Sequence, residues 1–540
     1  MSRFIYPVDT DQFQSIREDG KIYVDKTDFI YDLVSIKKYQ YVFLARPRRF
    51  GKSLLCNTFK AYFQGQKELF EGLKIMELEK EWKRYPVLHF DMSIMRNCSS
   101  MDGYREALSF ALSKYEKQYG LKNEADEFGT RFHLLLQHIH NTLNEKVVVI
   151  FDEYDTPLMR NLYNKEILVE LRTMLRGFYQ TVKMDGEYLK FVFITGVTKF
   201  SQLSIFSELN NLKQISMMDE YSGICGITEE ELQTTLRPCV EEYAEALDMT
   251  VDEAYHLLKK NYDGYHFSEN SQDVFAPFSL LNALNDKKTN HYWFESGTMT
   301  SLIEHLHHYP ITNALEYDGI EVDENEFNIS CESASTPMPL LYQSGYLTIQ
   351  SYNPHLRCYT LHFPNLEVRE GMIRGLMPLI LKRTTSDTNS MVRKMASAVL
   401  DGNISDALSA LRSYIAKIPY DIITEKEWNE QESREAFYKL LFYMAFSMLN
   451  SIVDTEVKSI LGRADVVIQT ETDVFVLELK VDDTVENALA QIDDKGYAIP
   501  YEADGRKVTK CGVRISSDQR NITHWKAVDE KGCVIDEKKF

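Results

Sequence analysis

The chain has 540 residues, 44% of them hydrophobic and 26% charged, which is ordinary for a globular protein and allows three or four domains. Its formal net charge of −20 excludes a whole-surface affinity for nucleic acid or anionic membranes, so any contact with DNA needs a local basic groove or bound metal ions. The eight cysteines form no CxxC pair, the start lacks a signal-peptide pattern, and no apolar stretch reaches the ~20 residues that span a bilayer. We therefore expect a cytoplasmic protein without a membrane segment.

The first part of the chain, residues 1–218, alternates short apolar runs with helical segments. The helix that bears on function is predicted at 53–63. The apolar runs, which are typical of strands buried on both faces, lie at 41–45, 87–92, 146–151 and 191–195. Strands separated by helices predict an α/β fold, with a parallel sheet and helices on both of its sides.

The middle of the chain has a different pattern. From about residue 219 it becomes helical, with helices predicted at 229–243 and 251–260. Near residue 340 two strands and a further helix follow, which suit either a winged-helix unit or an ordinary α+β connector. We assign residues 219–385 to this helical and winged-helix-like region, and residues 386–430, whose pattern is also helical, to a spacer.

The last part, residues 431–540, is predicted to be a separate small α/β domain. Its pattern again combines helices with strands. The predicted elements are a helix at 433–449, a hairpin at 464–479, a helix at 485–497 and a final strand at 507–515.

A phosphate loop is predicted in the first domain. The stretch RPRRFGKS fits the pattern G-x-x-x-x-G-K-[ST], except that Arg46 replaces the first glycine. It follows a predicted strand and precedes a predicted helix, where backbone N–H groups can wrap phosphates. Gly51 then allows close approach of the backbone, Lys52 contacts the β- and γ-phosphates of ATP, and Ser53 ligates Mg²⁺. Arg49 either contacts phosphate or only covers the loop.

A second acidic motif, VVVIFDEYD, lies about 100 residues further along the chain. We predict that Asp152 holds the Mg²⁺ through water and that Glu153 orients and polarises the attacking water. The alternative is an ordinary acidic strand terminus. Thr195 ends the next strand and senses the γ-phosphate, assisted by Lys199, or it merely ends the strand in a polar turn.

The hairpin of the last domain carries the other candidate site. In GRADVVIQTETDVFVLELK, a two-residue turn at Glu471 and Thr472 places Asp465 opposite Glu478. Lys480 shares the face of Glu478 because side chains alternate along a strand. Two carboxylates suit Mg²⁺ or Mn²⁺, with the lysine acting on water or phosphate. The alternative is a surface hairpin with chance acidic residues.

Residues 1 to about 220 resemble the AAA-ATPase-like family of bacteria and archaea. The similarity is carried by IYVDKTDFIYDL, RPRRFGKS, VVVIFDEYD and FITGVTKFSQLSIFSELNNL. In that family a degenerate first position of the phosphate loop is usual. The resemblance implies that the segment YVDKT lies near the nucleotide.

Residues from about 430 to 515 resemble the PD-(D/E)XK nuclease superfamily, in the hairpin and in ALAQIDDKGYAIPY. The resemblance implies that Gln491 is the superfamily's helix-borne glutamine. It also implies a third acidic metal ligand near the first helix, for which Glu435 is the best-placed candidate and Glu456 the rival. Ala464 stands where the superfamily has proline.

These features predict an ATP-hydrolysing protein coupled to a Mg²⁺- or Mn²⁺-dependent nuclease that acts on DNA, in defence or mobile-element transactions. We also expect a homo-oligomer. The alternative is a nucleotide-dependent switch or scaffold whose nuclease-like domain only binds nucleic acid or protein. Residues 425–540 hold 16 basic and 23 acidic residues, so DNA binding there needs metal ions or a local patch. The patch candidates are Arg463, Arg506, Lys507, Lys510 and Arg514.

Overall fold

The computed structural model describes most of the chain, in two units. The described residues are 4–199, 212–294, 302, 305–306, 317–331, 334–419, 431–449, 455–456, 465–501 and 505–540. The first unit comprises Met1–Ser296 and Leu315–Val368, and the second comprises Gly297–Ala314 and Arg369–Phe540. Among these described residues, no helix combines the length and the apolar character that crossing a membrane requires.

The first unit is built around a five-stranded sheet. Its strands are β1 (Tyr41–Ala45), β2 (Val87–Asp91), β3 (Val147–Asp152), β4 (Leu189–Gly196) and β5 (Lys213–Gln214). All neighbouring pairs are parallel, in the order β2-β3-β4-β1-β5. Every residue of β1 and β3 is buried, as expected for strands covered on both faces. The predicted parallel sheet is confirmed.

Helices cover both faces of this sheet. The helices of this part of the unit are α1 (Phe13–Glu18), α2 (Thr27–Tyr31), α3 (Lys52–Phe63), α4 (Ile75–Leu78), α5 (Met101–Gln118), α6 (Phe128–Leu143), α7 (Thr156–Arg160) and α8 (Lys165–Met184). On one face α5, α6 and α8 enclose an aromatic cluster that includes Phe90, Phe151 and Phe178. On the other face Phe59 of α3 lies 4.7 Å from Phe193 between ring centroids. The apolar contacts of α3 with the sheet hold this helix, and with it the phosphate-loop segment, next to the strand ends.

Further helices and two small sheets complete the first unit. The elements are α9 (Glu229–Gln233), α10 (Arg237–Ala246), α11 (Val251–Tyr262), α12 (Pro277–Asp286), α13 (Glu324–Phe327), α14 (Met338–Gln343), β6 (Ile227–Thr228), β7 (Val274–Phe275), β8 (Ile320–Asp323), β9 (Thr348–Asn353) and β10 (Cys358–His362). The helix predicted at 229–243 is two helices, because Pro238 lacks a backbone N–H and is favoured in the first turn of a new helix. The two strands predicted near residue 340 are β9 and β10, and β8 joins them as a third antiparallel strand.

The second unit is built around a six-stranded mixed sheet. Its strands are β11 (Thr455–Glu456), β12 (Val466–Gln469), β13 (Asp473–Val481), β14 (Lys507–Ser516), β15 (Asn521–Val528) and β16 (Val534–Lys539), which pair in this order. Only β13 and β14 are parallel among these pairs of described strands. The prediction that the strand at 507–515 is the last was wrong. Strand β16 has the sequence VIDEKK, and its exposed charges suit the edge of a sheet. Because it lacks an apolar run, the sequence pattern does not indicate a strand there.

Helices lie on both faces of this second sheet. The helices of this part of the chain are α15 (Leu366–Ile380), α16 (Thr385–Leu400), α17 (Ile404–Ile415), α18 (Gln431–Ser447) and α19 (Val485–Asp494). Of these, α17, α18 and α19 contact the sheet. Helix α19 approaches Gly512 so closely that a Cβ there would lie 2.5 Å from the Val485 carbonyl oxygen. On the opposite face Trp525 donates its indole N–H to Ser405 of α17, at 2.8 Å. The stretch predicted as a spacer at 386–430 thus packs, through α17, on the sheet of the second unit.

Candidate nucleotide and metal sites

The phosphate-loop segment connects β1 to α3, as the sequence predicted. Gly51 precedes α3 with φ +84°, a left-handed conformation that costs a glycine little. Arg49 also has a left-handed φ, +66°, which is uncommon for other residues and marks a constrained loop. Gly51 and Arg49 are exposed whereas Lys52 is buried. The loop therefore presents its backbone to solvent and keeps its lysine beneath.

Arg46, which replaces the first glycine of the motif, is a buried structural residue. It is 2% exposed, and its guanidinium donates to the carbonyls of Ala45, at 3.0 Å, and Ser216, at 2.7 Å. The guanidinium carbon also lies 4.0 Å from the centroid of the Phe267 ring. Burial lowers the pKa of Arg46 to about 10, so the side chain stays charged at neutral pH. Arg46, at the position of the motif's first glycine, thus fixes the start of the loop.

Lys52 lies on the inner side of the loop. Its Nζ donates to the carbonyl oxygens of Arg46, at 3.0 Å, and Pro47, at 2.8 Å. Burial lowers the pKa of Lys52, and the charges of Asp152 and Asp155 oppose that shift. An ammonium held this way can exchange loop carbonyls for phosphate oxygens without moving far.

Asp152 ends strand β3 close to the start of α3, and it is 2% exposed. Burial raises the pKa of Asp152 to about 6, although a hydrogen bond from Ser53 and the charge of Lys52 oppose the increase. A buried carboxylate beside a hydroxyl offers the hard oxygen ligands that Mg²⁺ prefers. A cation there would also relieve the cost of burying the charged carboxylate.

Glu153 follows directly, with φ +48°. Its Oε2 accepts from the guanidinium of Arg96, at 2.6 Å, and from the hydroxyl of Thr156, at 3.0 Å. Burial by itself would raise the pKa of Glu153, but the hydrogen bond and charge of Arg96 outweigh it and lower the pKa. Arg96 lies in the turn after β2, and the sequence carries no motif that would have identified it.

Two polar residues near this site serve the sheet itself. Thr195 is fully buried, and its hydroxyl donates to the Leu44 carbonyl of the neighbouring strand at 2.7 Å. The geometry therefore does not support its predicted contact with the γ-phosphate. Asp155, the last residue of VVVIFDEYD, accepts from the backbone N–H groups of Val197, at 3.0 Å, and Thr198, at 2.7 Å, and so holds the turn after β4.

Gly196→Ala is expected to destabilise the first unit. A Cβ at this position would lie 2.4 Å from Asp155 Oδ1 and 2.7 Å from the Tyr154 ring, both of them buried. Overpacking of this kind typically costs about 1–3 kcal/mol. The matched control is Gly177→Ala in α8, where a Cβ meets no atom within 4 Å. Its free energy of unfolding should rise by about 0.5–1 kcal/mol, because alanine is favoured over glycine in a helix. Urea denaturation followed by circular dichroism measures both, and equal stabilities would contradict the steric argument.

Two further predicted residues lie at the edge of the nucleotide site. The guanidinium carbon of Arg49 lies 3.8 Å from the centroid of the Phe278 ring, so this side chain covers the loop, and its contact with phosphate stays a prediction. Lys199 is buried, and burial lowers its pKa to about 8. Residues 200–211, which include most of the stretch KFSQLSIFSELNNL, lie outside the described residues.

In the second unit, β12 and β13 form the predicted hairpin in the predicted register. Val466 pairs with Leu477, and Gln469 pairs with Val474. This pairing leaves a two-residue turn and brings Asp465, which directly precedes β12, opposite Glu478. The register therefore confirms the approach of the two carboxylates.

Four predicted side chains meet at this end of the hairpin. Gln491 of α19 donates to Glu478 and accepts from Lys480 Nζ at 2.5 Å. The Lys480 ammonium lies 3.9 Å from Glu478 Oε1. Asp465 Oδ2 accepts from the backbone N–H of Leu479 at 2.8 Å. The glutamine thus bridges the lysine and the buried carboxylate.

Glu478 is only 3% exposed. Burial and then the charge of Asp465 raise the pKa of Glu478 to about 7, whereas Lys480 opposes the increase. Two carboxylates that repel each other in a buried place form a ligand set that a divalent cation would stabilise. The residues present therefore fit Mg²⁺ or Mn²⁺.

Glu478→Gln is expected to stabilise the metal-free second unit at pH 8 and to change its stability less at pH 5. Because the folded-state pKa of Glu478 is raised to about 7, the favourable protonated form is lost as pH rises through that value. The glutamine carries no charge, so the free energy of unfolding at pH 8 should rise by roughly 1–3 kcal/mol. Urea denaturation in EDTA measures this, with Glu471→Gln in the exposed turn of the same hairpin as control. A loss of stability at pH 8 would contradict the argument.

Two basic groups accompany this site, and one of them, Arg514, belongs to the predicted basic patch. Lys439 of α18 acts on Glu478 with its charge, in the direction of a lower pKa, and no sequence motif marks it. Arg514 of β14 pairs in parallel register with Lys480 and so shares its face. Its Nε is buried and has no hydrogen-bond partner among the described residues. Lys510 of the predicted basic patch is instead paired with Asp493, at 2.7 Å.

The third acidic ligand stays a prediction. Glu435 lies in α18 and Glu456 lies in β11, but their side chains fall outside what the structure describes. Arg463 of the predicted basic patch also lies outside the described residues. The choice between the two glutamates is therefore open.

The first unit has the fold of a P-loop ATPase, and the second carries a carboxylate hairpin of the PD-(D/E)XK type. The family described as "Predicted AAA-ATPase" matches residues 7–206, and the PD-(D/E)XK nuclease superfamily matches residues 433–525. A relative from Azotobacter chroococcum mcd 1, named "Uncharacterized protein in vnfD 5'region", is 33% identical over 535 residues, which cover 97% of this chain and 98% of the relative. The chain belongs to this family of AAA-ATPase-like proteins with a C-terminal PD-(D/E)XK nuclease superfamily domain.

Proposed function

We propose that the protein binds and hydrolyses ATP in its first unit and cleaves DNA with a Mg²⁺- or Mn²⁺-dependent site in its second unit. The observation that carries the proposal is the cluster at the hairpin end, where Asp465, Glu478, Lys480 and Gln491 converge in the predicted register. An isolated surface hairpin has no reason to bury Glu478 beside a second carboxylate, because such burial is costly without a ligand.

For the nucleotide, Lys52 would contact the β- and γ-phosphates, and Ser53 with Asp152 would hold Mg²⁺, which neutralises phosphate charge when bound. Gly51 lets the backbone approach the phosphates at the N-terminus of α3. Glu153 would orient the attacking water. Arg96 and Thr156 both donate to Oε2 of Glu153, so Oε1 would be the oxygen that accepts from the water.

For the phosphodiester, Asp465 and Glu478 would hold the metal ion, which when bound supplies Lewis acidity and an activated water. Lys480 is held by Gln491 at 2.5 Å, so its ammonium is oriented toward the carboxylates rather than free in solvent. It would orient the water or neutralise charge on the phosphate. Arg514, on the same face, would contact a neighbouring phosphate of the strand.

The test is a matrix of nuclease assays that crosses metal ions with nucleotides. Supercoiled plasmid, linear duplex and single-stranded DNA are each incubated with Mg²⁺ or Mn²⁺, with and without ATP. Metal-dependent cleavage that EDTA abolishes supports the nuclease function, and its response to ATP shows whether the units are coupled. No cleavage of any substrate with either metal would overturn it.

The net acidic character of residues 425–540 favours a second candidate, a nucleotide-dependent switch whose second unit binds a protein or nucleic acid without cutting it. This candidate predicts ATP binding but no cleavage under any condition of the matrix. It also predicts that Asp465 and Glu478 affect DNA affinity only through their charge.

A further inference from the structure

Behind the phosphate loop, three side chains of different chemistry meet beneath α3. Cys56 lies on α3, His89 lies on β2 and Asp152 ends β3, and one ligand atom of each lies within 4.8 Å of the others. The sequence motifs account for Asp152 alone. Strands β2 and β3 pair in parallel, with Asp91 opposite Asp152. His89 lies two residues before Asp91 on β2, so its side chain is on the same face of the sheet as Asp152.

The imidazole of His89 has an unused ligand atom in this place. Its Nε2 is buried and has no hydrogen-bond partner among the described residues. The backbone of His89 is held firmly, since its N–H donates to the Tyr115 hydroxyl at 2.8 Å and its carbonyl accepts from the same hydroxyl at 2.7 Å. A buried imidazole nitrogen without a partner is costly, so it calls for a ligand or a proton acceptor that the packing does not provide.

Thiolate, imidazole and carboxylate together are the donor set of a borderline-soft divalent ion, not of Mg²⁺. Bonds of ~2.0–2.3 Å to such an ion place donor atoms roughly 3.5 Å apart, so the observed spacing requires only a small closure by side-chain rotation. Cys56 is fully buried, and the thiol would release one proton to solvent on binding.

We propose that Cys56, His89 and Asp152 form a site for a divalent transition-metal ion such as Zn²⁺, and that its occupation weakens the binding of Mg–ATP. The second part rests on the proposed function, because Asp152 is also the carboxylate assigned to the Mg²⁺ of the nucleotide. Two divalent ions that share one carboxylate repel each other strongly in a buried place. Metal bound behind the loop is therefore an inhibitor of the nucleotide site.

The site is tested with Co²⁺ on the full chain, because only a thiolate ligand produces the near-ultraviolet sulfur-to-cobalt charge-transfer band. The carboxylates and glutamine of the hairpin contain no sulfur and cannot contribute to it. We expect a band of the amplitude of one thiolate-bound Co²⁺ per chain in the wild type, reached once both proposed metal sites are filled, and lost in Cys56→Ala. His89→Gln should weaken Co²⁺ binding roughly tenfold or more.

The matched controls are Cys225→Ala and Cys239→Ala, since both thiols are buried in the same unit and belong to neither ligand set. Both should keep the band. Cys56→Ser, which retains the side-chain volume, and circular dichroism of each variant separate loss of the metal from loss of the fold. No band in the wild type, or a band that persists in a folded Cys56→Ala, would overturn the site.

The antagonism is tested by titrating a fluorescent ATP analogue in Mg²⁺, with and without one equivalent of Zn²⁺. The dissociation constant should rise roughly tenfold in the wild type and be unchanged by Zn²⁺ in Cys56→Ala. An unchanged wild-type constant overturns the antagonism. If the cobalt band is present but the wild type binds no nucleotide at all, the metal site is upheld and the proposed ATP function is overturned.

Discussion

Asp465→Asn is expected to abolish metal-dependent DNA cleavage, and Glu478→Gln is expected to do the same. Each change removes one of two charges that hold the cation, whereas the amide oxygen of asparagine can still accept from the Leu479 N–H. Loss of a group that stabilises charge in the transition state typically costs about 10²–10³-fold or more in rate. Since Glu478→Gln should also make the metal-free unit more stable at pH 8, its loss of activity would not be due to unfolding.

Plasmid cleavage in Mn²⁺ measures the loss of activity, and calorimetric titration of Mn²⁺ measures the loss of metal affinity. Lys480→Ala should lose cleavage but keep Mn²⁺ affinity, because an ammonium is not a ligand. The matched control is Asp473→Asn, a buried carboxylate on the same strand whose side chain lies on the opposite face and accepts from Thr472 at 2.6 Å. Full cleavage by Asp465→Asn would mean that the metal is held elsewhere.

Lys52→Ala is expected to remove detectable Mg–ATP binding. Two carbonyls of the loop hold the buried ammonium directly beneath it. Hydrogen bonds to charged groups are worth roughly 1.5–3 kcal/mol each. Losing two of them would raise the dissociation constant by about 10²-fold or more. Titration of a fluorescent ATP analogue measures the change.

Lys83→Ala is the control for this variant, because Lys83 is an exposed lysine of the same unit paired with Glu145 at 2.9 Å. It should bind ATP as the wild type does. Glu153→Gln should also bind ATP but hydrolyse it slowly, since it loses only the group that orients water. Nucleotide affinity that is the same in Lys52→Ala and in the wild type would remove the phosphate loop from the function.

The elements that the sequence predicted well are those that depend on residues close together in the chain. The continuous run VVVIFD becomes a strand buried along its whole length, and the loop at RPRRFGKS joins a strand to a helix. The hairpin register also followed from local features, because a two-residue turn and alternating side chains leave one pairing that puts Asp465 opposite Glu478.

The role of a side chain could not be predicted where its partner is distant in sequence. The hydroxyl of Thr195 donates to Leu44, about 150 residues away, and no pattern around Thr195 indicates this. The guanidinium of Arg46 likewise donates to the carbonyl of Ser216, 170 residues away, a contact that no local pattern indicates. Strand β15 does carry β-branched and aromatic residues, Ile522, Thr523 and Trp525, that would have indicated it.

The sequence by itself indicated the two protein families, the parallel sheet, the positions of the phosphate-loop segment and the acidic pair, and the carboxylate hairpin. These features depend on residues that are close together in the sequence. The regular geometry of a helix or strand then decides on which face their side chains lie. Only the tertiary structure decided that Arg96 holds Glu153, that Gln491 bridges Lys480 and Glu478, and that helix α17 covers the second sheet. It also brought Cys56, His89 and Asp152 together, because contacts between separate elements depend on how their buried faces pack and not on their spacing along the chain.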